Sequence, residues 1–239
     1  CAARLARYLE NGVGFPVYPA SRVEYYPSGE AFFEALLREL PKARRYIFVE
    51  FFILQEGEMW GEVLKILEQK AREGVEVRVL YDDFGCFVKL PRDYCAEVRA
   101  KGIQCEVFSP FRPALTILQN NRDHRKIVSI DGVTAFTGGA NLADEYINRV
   151  DRFGHWRDAA VMVEGEAAWS LTLMFLQMWG LACRSTSASR PSACLCPCPA
   201  TAMCSPIATA RWMWRPSPSA SICRSSTGRA STSTSPRPT

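Results

Sequence analysis

The chain has 239 residues, of which 48% are hydrophobic, and this apolar content is enough for a core, so we expect a globular fold. Its formal charge of +4 does not indicate a nucleic-acid partner, because seven of the 29 basic residues lie in residues 183–239, which contain no acidic residue. The first 182 residues carry 22 basic and 25 acidic side chains, a net charge of −3. The sequence begins at Cys1 without a signal peptide, and we interpret it as a fragment.

Predicted helices and strands alternate over the first half of the chain, in the pattern of an α/β domain. Residues 28–40 predict a helix capped by Ser28, and the almost continuously apolar residues 45–54 predict a strand buried on both faces. Residues 59–74 predict a helix that ends at a glycine, and residues 75–85 predict the next strand.

The pattern then repeats once and gives way to a hairpin. Residues 91–101 predict a helix and residues 103–109 a strand. An Asp-Gly pair at 131–132 is a strong signal for a type I′ turn, and it joins two strand-like runs, residues 124–130 and 133–139.

A run of 17 uncharged residues, 167–183, raises the question of a membrane span. It is at the lower limit of length for a span and lacks basic anchors on its N-terminal side, so we favour a core helix.

The composition changes abruptly after residue 182, where Asp, Glu, Lys and the bulky aromatic Phe and Tyr vanish and Ser, Pro, Ala, Arg, Thr and Cys take over. Such a segment buries too little apolar surface to order itself, so we predict disorder for residues 183–239. We hypothesise that it is an out-of-frame translation, which resequencing of the DNA would test. The resulting organisation is a lead-in over residues 1–20, a folded domain over 21–182 and the tail.

The cysteines show no metal-ligand spacing in the predicted domain. Cys86, Cys95 and Cys105 are scattered through it, and we interpret them as reduced thiols of a cytoplasmic-facing protein. The Cys-x-Cys-x-Cys run at 194–198 is interleaved with proline, and we interpret it as accidental.

Residues 121–142 gather the side chains best suited to phosphate chemistry. Residues two apart on a strand share a face, so His124 and Lys126 are expected side by side. The hairpin returns Gly138, Gly139 and Asn141 to the same end. Glycines let backbone N–H groups approach an anion closely, and the asparagine adds a neutral donor. The sequence thus predicts a nucleophile candidate, a cation and donors for phosphate oxygens in one place.

The spacing of these residues resembles the signature of the phospholipase D superfamily, the HKD phosphodiesterases and phosphatidyltransferases. H-x-K, four residues, Asp, six residues and G-G-x-N are matched at His124, Lys126, Asp131, Gly138, Gly139 and Asn141. Residues 74–85, 120–147 and 155–179 further resemble blocks of bacterial cardiolipin synthases. The resemblance covers roughly residues 12–180 and implies a mixed β-sheet flanked by helices, with a single HKD domain.

In that family two HKD motifs meet at one site, where one histidine attacks the phosphodiester and the other protonates the leaving alcohol. The resemblance implies that His124 is the nucleophile or the acid, that Lys126 and Asn141 bind phosphate with the glycine pair, and that no metal or other cofactor is required. Asp131 belongs to the catalytic motif, but it begins the turn on the face opposite His124, so we expect a structural role.

Two further acidic residues stand out. Asp158 is our candidate for the carboxylate that orients the attacking histidine. The alternative is a strand-edge carboxylate paired with Arg152 or Arg157. Glu50 lies in an apolar strand and must have a partner if it is buried.

The second HKD motif is absent, because the other histidine, His155, is followed by Trp-Arg. We therefore favour a cardiolipin synthase-like phosphatidyltransferase truncated after its first half. The alternatives are a single-HKD homodimeric phosphodiesterase, either a phospholipase or a nuclease, and an inactive fragment. The expected partners are a phospholipid, with phosphatidylglycerol as donor, a membrane surface, and the missing half or a second copy. Nucleic acid is not favoured. The full-length family member is expected at the bacterial inner membrane with its site on the cytoplasmic side.

Overall fold

A computed structural model describes residues 2–13, 16–110, 122–152 and 154–187. The N-terminal segment forms helix α1 (Ala2–Tyr8) and a π-helical turn (Leu9–Val13), a unit separate from the domain that begins at Tyr18. The disorder and the cysteine run that we predicted for the tail lie outside the described residues, except that the last helix includes residues 183–187.

The domain is built on a mixed sheet, which confirms the predicted fold class. In the described part of the chain it has seven strands, which are β1 (Ser21–Tyr26), β2 (Tyr46–Phe51), β3 (Glu76–Asp82), β4 (Gln104–Phe108), β5 (Ile127–Ile130), β6 (Thr134–Gly138) and β7 (Ala160–Gly165). They lie in the order β1-β7-β6-β5-β2-β3-β4. Strands β2, β3 and β4 are parallel, and all other neighbours are antiparallel.

Helices cover both faces of this sheet. They are α2 (Gly29–Glu39), α3 (Glu58–Arg72), α4 (Asp83–Cys86), α5 (Tyr94–Ala100) and α6 (Ala168–Ser187), with 3-10 turns at Leu40–Lys42 and Asp144–Ile147. Within the described residues, no helix is both long and apolar enough to cross a membrane.

Strand β2 lies at the centre and is buried on both faces, as predicted. Ile47 and Val49 belong to the larger core, which α2, α3 and α5 complete. Phe48 points to the opposite face and stacks on Phe175 of α6, with ring centroids 4.8 Å apart. Helix α6 is therefore a core helix, as its uncharged sequence predicted.

The local signals in the sequence produce the structures expected of them. The Ser28 side chain accepts a hydrogen bond from the Ala31 N–H at 3.3 Å and caps α2. Gly74 follows α3 with φ of +89°, a conformation that glycine adopts without strain. Asp131 and Gly132 both have positive φ, as a type I′ turn requires.

The strand predicted to start at His124 is shorter than expected, and this prediction is wrong. Strand β5 begins at Ile127, which pairs with Glu50. That antiparallel register places Phe51, the last residue of β2, opposite Lys126. Strand β2 ends at Phe51 and so provides no residue to pair with the backbone that precedes Lys126. His124 therefore lies on irregular backbone.

Asp131 joins the hairpin to the start of β2. Its carboxylate accepts hydrogen bonds from the backbone N–H groups of Arg44, Arg45 and Tyr46, at 2.9, 2.8 and 2.8 Å. Three donors on one carboxylate fix the register at which β2 enters the sheet.

Replacing Asp131 by Asn should lower the free energy of unfolding by about 1–3 kcal/mol, because the charge and one acceptor are lost. Asparagine tolerates positive φ, so the change isolates the carboxylate from backbone strain. Urea unfolding measures the difference, with Asp93→Asn as control, since Asp93 is exposed and its side chain makes no capping bond. Equal stability of the two variants would contradict this role.

Candidate active site

The two side chains of the H-x-K motif converge on one aromatic ring at the end of β2. The exposed imidazole of His124 lies against Phe52, with ring centroids 4.9 Å apart and an interplanar angle of 56°. The Lys126 ammonium lies 5.6 Å from the centroid of the same ring and donates a hydrogen bond to the His124 carbonyl oxygen at 2.8 Å. An accessible imidazole therefore lies next to a buried cation.

Burial makes the charge of Lys126 costly. The side chain is only 4% exposed, and this burial lowers its pKa to about 8, although the nearby carboxylates of Asp123 and Asp158 act in the opposite direction. At neutral pH the ammonium is mostly charged. A bound anion would stabilise that charge further.

Asn141 is held at the same edge of the sheet. Its Oδ1 accepts a hydrogen bond from the Ile53 N–H at 3.0 Å, and its Nδ2 donates to the Tyr146 hydroxyl at 2.7 Å. These contacts fix the orientation of the buried amide. An amide nitrogen carries two hydrogens, and Tyr146 accepts one of them.

The glycine pair allows close packing of β7 against β6. A Cβ on Gly138 would lie 2.5 Å from the Ala159 carbonyl oxygen, and one on Gly139 would collide with the Asp158 carboxylate. The Gly139 N–H donates to that Ala159 oxygen at 2.9 Å. This amide is thus bonded within the protein, and the observed contribution of Gly139 is to admit Asp158 next to the site.

Asp158 is partly buried, and its Oδ1 accepts a hydrogen bond from the Ala159 N–H at 2.8 Å. Its charge reaches Lys126, whose pKa it raises. Arg152, the alternative partner for Asp158, forms an ion pair with Glu145 at 3.4 Å. Asp131 lies at the opposite end of β5 from His124 and Lys126.

Several residues at this edge were not predicted. Phe52 and Tyr146 contact the motif residues directly, but their signal in the sequence is weak, because aromatic residues beside strands are usual. Glu50, which the sequence singles out without a role, lies in a buried cluster of carboxyl groups with Asp82 and Asp123, and Arg122 and Arg125 are the cations of this cluster. The sequence signal for this cluster is the run of charges around His124 combined with a glutamate in a buried strand.

This arrangement suits a reaction at a bound phosphate. The imidazole of His124 is exposed and Lys126 is held beside it, while Asn141 is held by Ile53, the residue after Phe52. The donors are set before a ligand arrives, which is the condition for electrostatic stabilisation of a transition state.

A family described as "Cardiolipin synthase, PLD-like domain" matches residues 36–179. The chain is 42% identical over 165 residues to a cardiolipin synthase of Geobacillus kaustophilus, covering 69% of this chain and 33% of that protein. It is 54% identical over 175 residues to an uncharacterized protein of Streptococcus mutans, covering 73% of this chain and 38% of that one. The chain thus spans about a third of the length of these relatives.

Solved structures share the fold at low sequence identity. NucT from Helicobacter pylori superposes with a TM-score of 0.51 and 11% identity, over 67% of this chain and 96% of that one. A phosphatidylserine synthase from Haemophilus influenzae gives a TM-score of 0.51 and 16% identity, over 70% of this chain and 38% of that one.

Replacing Lys126 by Met should raise the free energy of unfolding at pH 7 by about 1–3 kcal/mol, because a buried charge is removed and a similar apolar chain remains. The pKa of Lys126 falls from 10.5 to about 8 on folding, so the folded protein binds fewer protons between these values. Wild-type stability should therefore rise relative to the variant as the pH rises from 8 to 10.5.

Urea unfolding at pH 7 and pH 9.5 measures this difference. Lys65→Met is the control, since the Lys65 side chain is 72% exposed. A Lys126→Met protein that is less stable than wild type at pH 7 would show that the buried charge is not unfavourable.

Proposed function

Because this chain belongs to the cardiolipin synthase family of phospholipase D-like domains, we propose that it supplies one histidine to a phosphatidyltransferase site that uses phosphatidylglycerol as donor. The observation that carries the proposal is the convergence of His124 and Lys126 on Phe52. It combines an accessible nucleophile with a fixed cation. Cleavage of a phosphodiester requires both groups, whereas a hairpin with only a structural role requires neither.

In the first step a His124 ring nitrogen attacks phosphorus, the N–P bond forms, and the P–O bond to the departing glycerol breaks. The glycerol oxygen takes a proton from a general acid. In the second step the hydroxyl oxygen of another phosphatidylglycerol attacks the phosphorus, the P–O bond of cardiolipin forms and the N–P bond to His124 breaks. The hydroxyl proton returns to the conjugate base of the general acid.

Lys126 and the second Nδ2 hydrogen of Asn141 stabilise the charge on the phosphate oxygens. The proposal therefore needs no metal. Asp158 is the proposed orienting carboxylate for His124, acting from its position beside Gly139. Asp131 supports the site through the backbone of β2 rather than through the substrate.

The general acid is a second histidine. His155 does not fill this role, because His155 is not part of an H-x-K motif. We favour a second HKD half outside this sequence as its source. In the full-length enzyme that pair would act on lipid at the cytoplasmic face of the inner membrane, and we expect this chain alone to bind anionic membranes weakly.

A second candidate is a homodimeric phosphodiesterase, because the sequence contains a single H-x-K motif and two copies would supply two histidines. A phospholipase of this kind would transfer the phosphatidyl group to water and release phosphatidic acid. The negative charge of residues 1–182 disfavours a nuclease.

The test measures cardiolipin and phosphatidic acid formed from phosphatidylglycerol vesicles. The chain is assayed alone at increasing concentration, and mixed with a separately produced second half of the Geobacillus kaustophilus enzyme. We expect turnover in the mixture, and His124→Asn should reduce it at least roughly a thousandfold. Turnover by the chain alone that rises with the square of its concentration would favour the homodimer.

His155→Asn is the matched control, because His155 is an exposed histidine outside the motif. It should leave turnover in the mixture unchanged. Full turnover by the His124→Asn protein, with loss in the His155→Asn protein, would overturn the proposal.

A further inference from the structure

Glu50 is a buried carboxyl group without a hydrogen-bond donor. It lies near the end of β2 and is 1% exposed, and neither carboxyl oxygen has a hydrogen-bond partner among the described residues. The Arg125 Nε lies 3.0 Å from Glu50 Oε1. The same nitrogen lies 3.1 Å from Asp123 Oδ1, to which its single hydrogen is donated. Glu50 has an ion-pair neighbour, as we predicted, but not a hydrogen bond from it.

Asp123, by contrast, is tied to its surroundings. It is 6% exposed and accepts a second hydrogen bond from the Arg125 backbone N–H at 3.3 Å. Its own N–H donates to Asp82 Oδ2 at 3.0 Å, and Asp82 is paired with Arg122 at 3.5 Å. The segment that carries the motif is therefore anchored to β3 through Asp123.

Two buried carboxyl groups lie within 3.1 Å of one guanidinium nitrogen, and ionising both places two negative charges together in a buried site, which is unfavourable. The pKa of Glu50 is raised to about 9, mainly by burial and also by the neighbouring Asp123 carboxylate, while Arg125 opposes both. The other charged groups facing this cluster are Asp82, Arg122 and Lys126. A proton on Glu50 supplies the missing donor, because a carboxylic acid can donate to a carboxylate.

We propose that Glu50 is a positioning residue that keeps a proton at neutral pH and donates it in a hydrogen bond to Asp123, thereby fixing the backbone from Asp123 to Lys126. The charge balance gives this proton a second effect. With Glu50 neutral, the groups around Asp123 and Lys126 carry one negative charge fewer than with Glu50 ionised. A less negative site repels a phosphodiester monoanion less, and this part of the inference rests on the proposed function.

The first test compares urea unfolding of wild type and Glu50→Gln between pH 5.5 and 7.5. The pKa of Glu50 is raised from 4.5 to about 9 on folding, so the folded protein holds one extra proton across this window and loses stability as the pH rises. The unfolding constant of wild type relative to Glu50→Gln should rise about tenfold per pH unit. Glu164→Gln is the control, since the Glu164 side chain is 50% exposed. A ratio that does not change with pH would show an ionised Glu50 and overturn the proposal.

The second test measures binding of dimethyl phosphate, which stays a monoanion throughout, by NMR titration at pH 6.5. Glu50→Ala, which lacks the donor, should bind at least tenfold more weakly than wild type. Glu50→Gln should restore binding, because its amide also donates to Asp123. Equal binding by the Ala and Gln variants would show that Glu50 does not position the site.

The two tests separate this inference from the proposed function. If wild type fails to bind dimethyl phosphate, the phosphodiester site is contradicted, while the unfolding ratio still decides whether Glu50 keeps its proton. If the Ala variant does not fold, the comparison of wild type with Glu50→Gln also remains decisive.

Discussion

The structure depends on the burial of β2 on both faces. Its apolar side chains hold α2 and α3 on one side and α6 on the other, so this strand cannot shift without disturbing both cores. The residues that immediately follow it, Phe52 and Ile53, contact His124 and Asn141. Strand β2 therefore sets the positions of these site residues, while Asp131 fixes the opposite end of the strand. A reaction that needs donors in place before the substrate arrives benefits from such support.

The same strand carries the one acidic residue of its sequence, Glu50, at the point where its ladder with β5 begins. A charge there is costly, and the cost is reduced either by a partner or by a proton. The buried ammonium group of Lys126 likewise carries a charge that burial makes costly, but this charge is positive. Each of the two groups adjoins Asp123. A proton on each of them leaves the site less negative, which favours the anionic group of the proposed substrate.

Local signals sufficed for much of the fold. The cap at Ser28, the continuous apolar run of β2 and the Asp-Gly turn act over a few residues, and the structure contains each of them. The strand β1 was not predicted, because Val23 and Tyr25 are exposed and its pattern is weak. The early end of the β5 ladder depends on where β2 ends, which no residue near His124 reveals. Likewise, the Asn141 contacts with Ile53 and Tyr146 join separate parts of the chain. The motif indicated which residues gather, but not which of their hydrogen bonds are already used within the protein.

The most direct test of the central claim is to trap the covalent intermediate. The chain, mixed with the second half, is denatured in alkali, where phosphohistidine survives, within one turnover of adding phosphatidylglycerol. The mass of the intact protein and of its peptides is then measured. We expect one phosphatidyl group on the peptide that contains His124, and none in the His124→Asn protein. Turnover with an adduct on a different residue of this chain would contradict the role of His124.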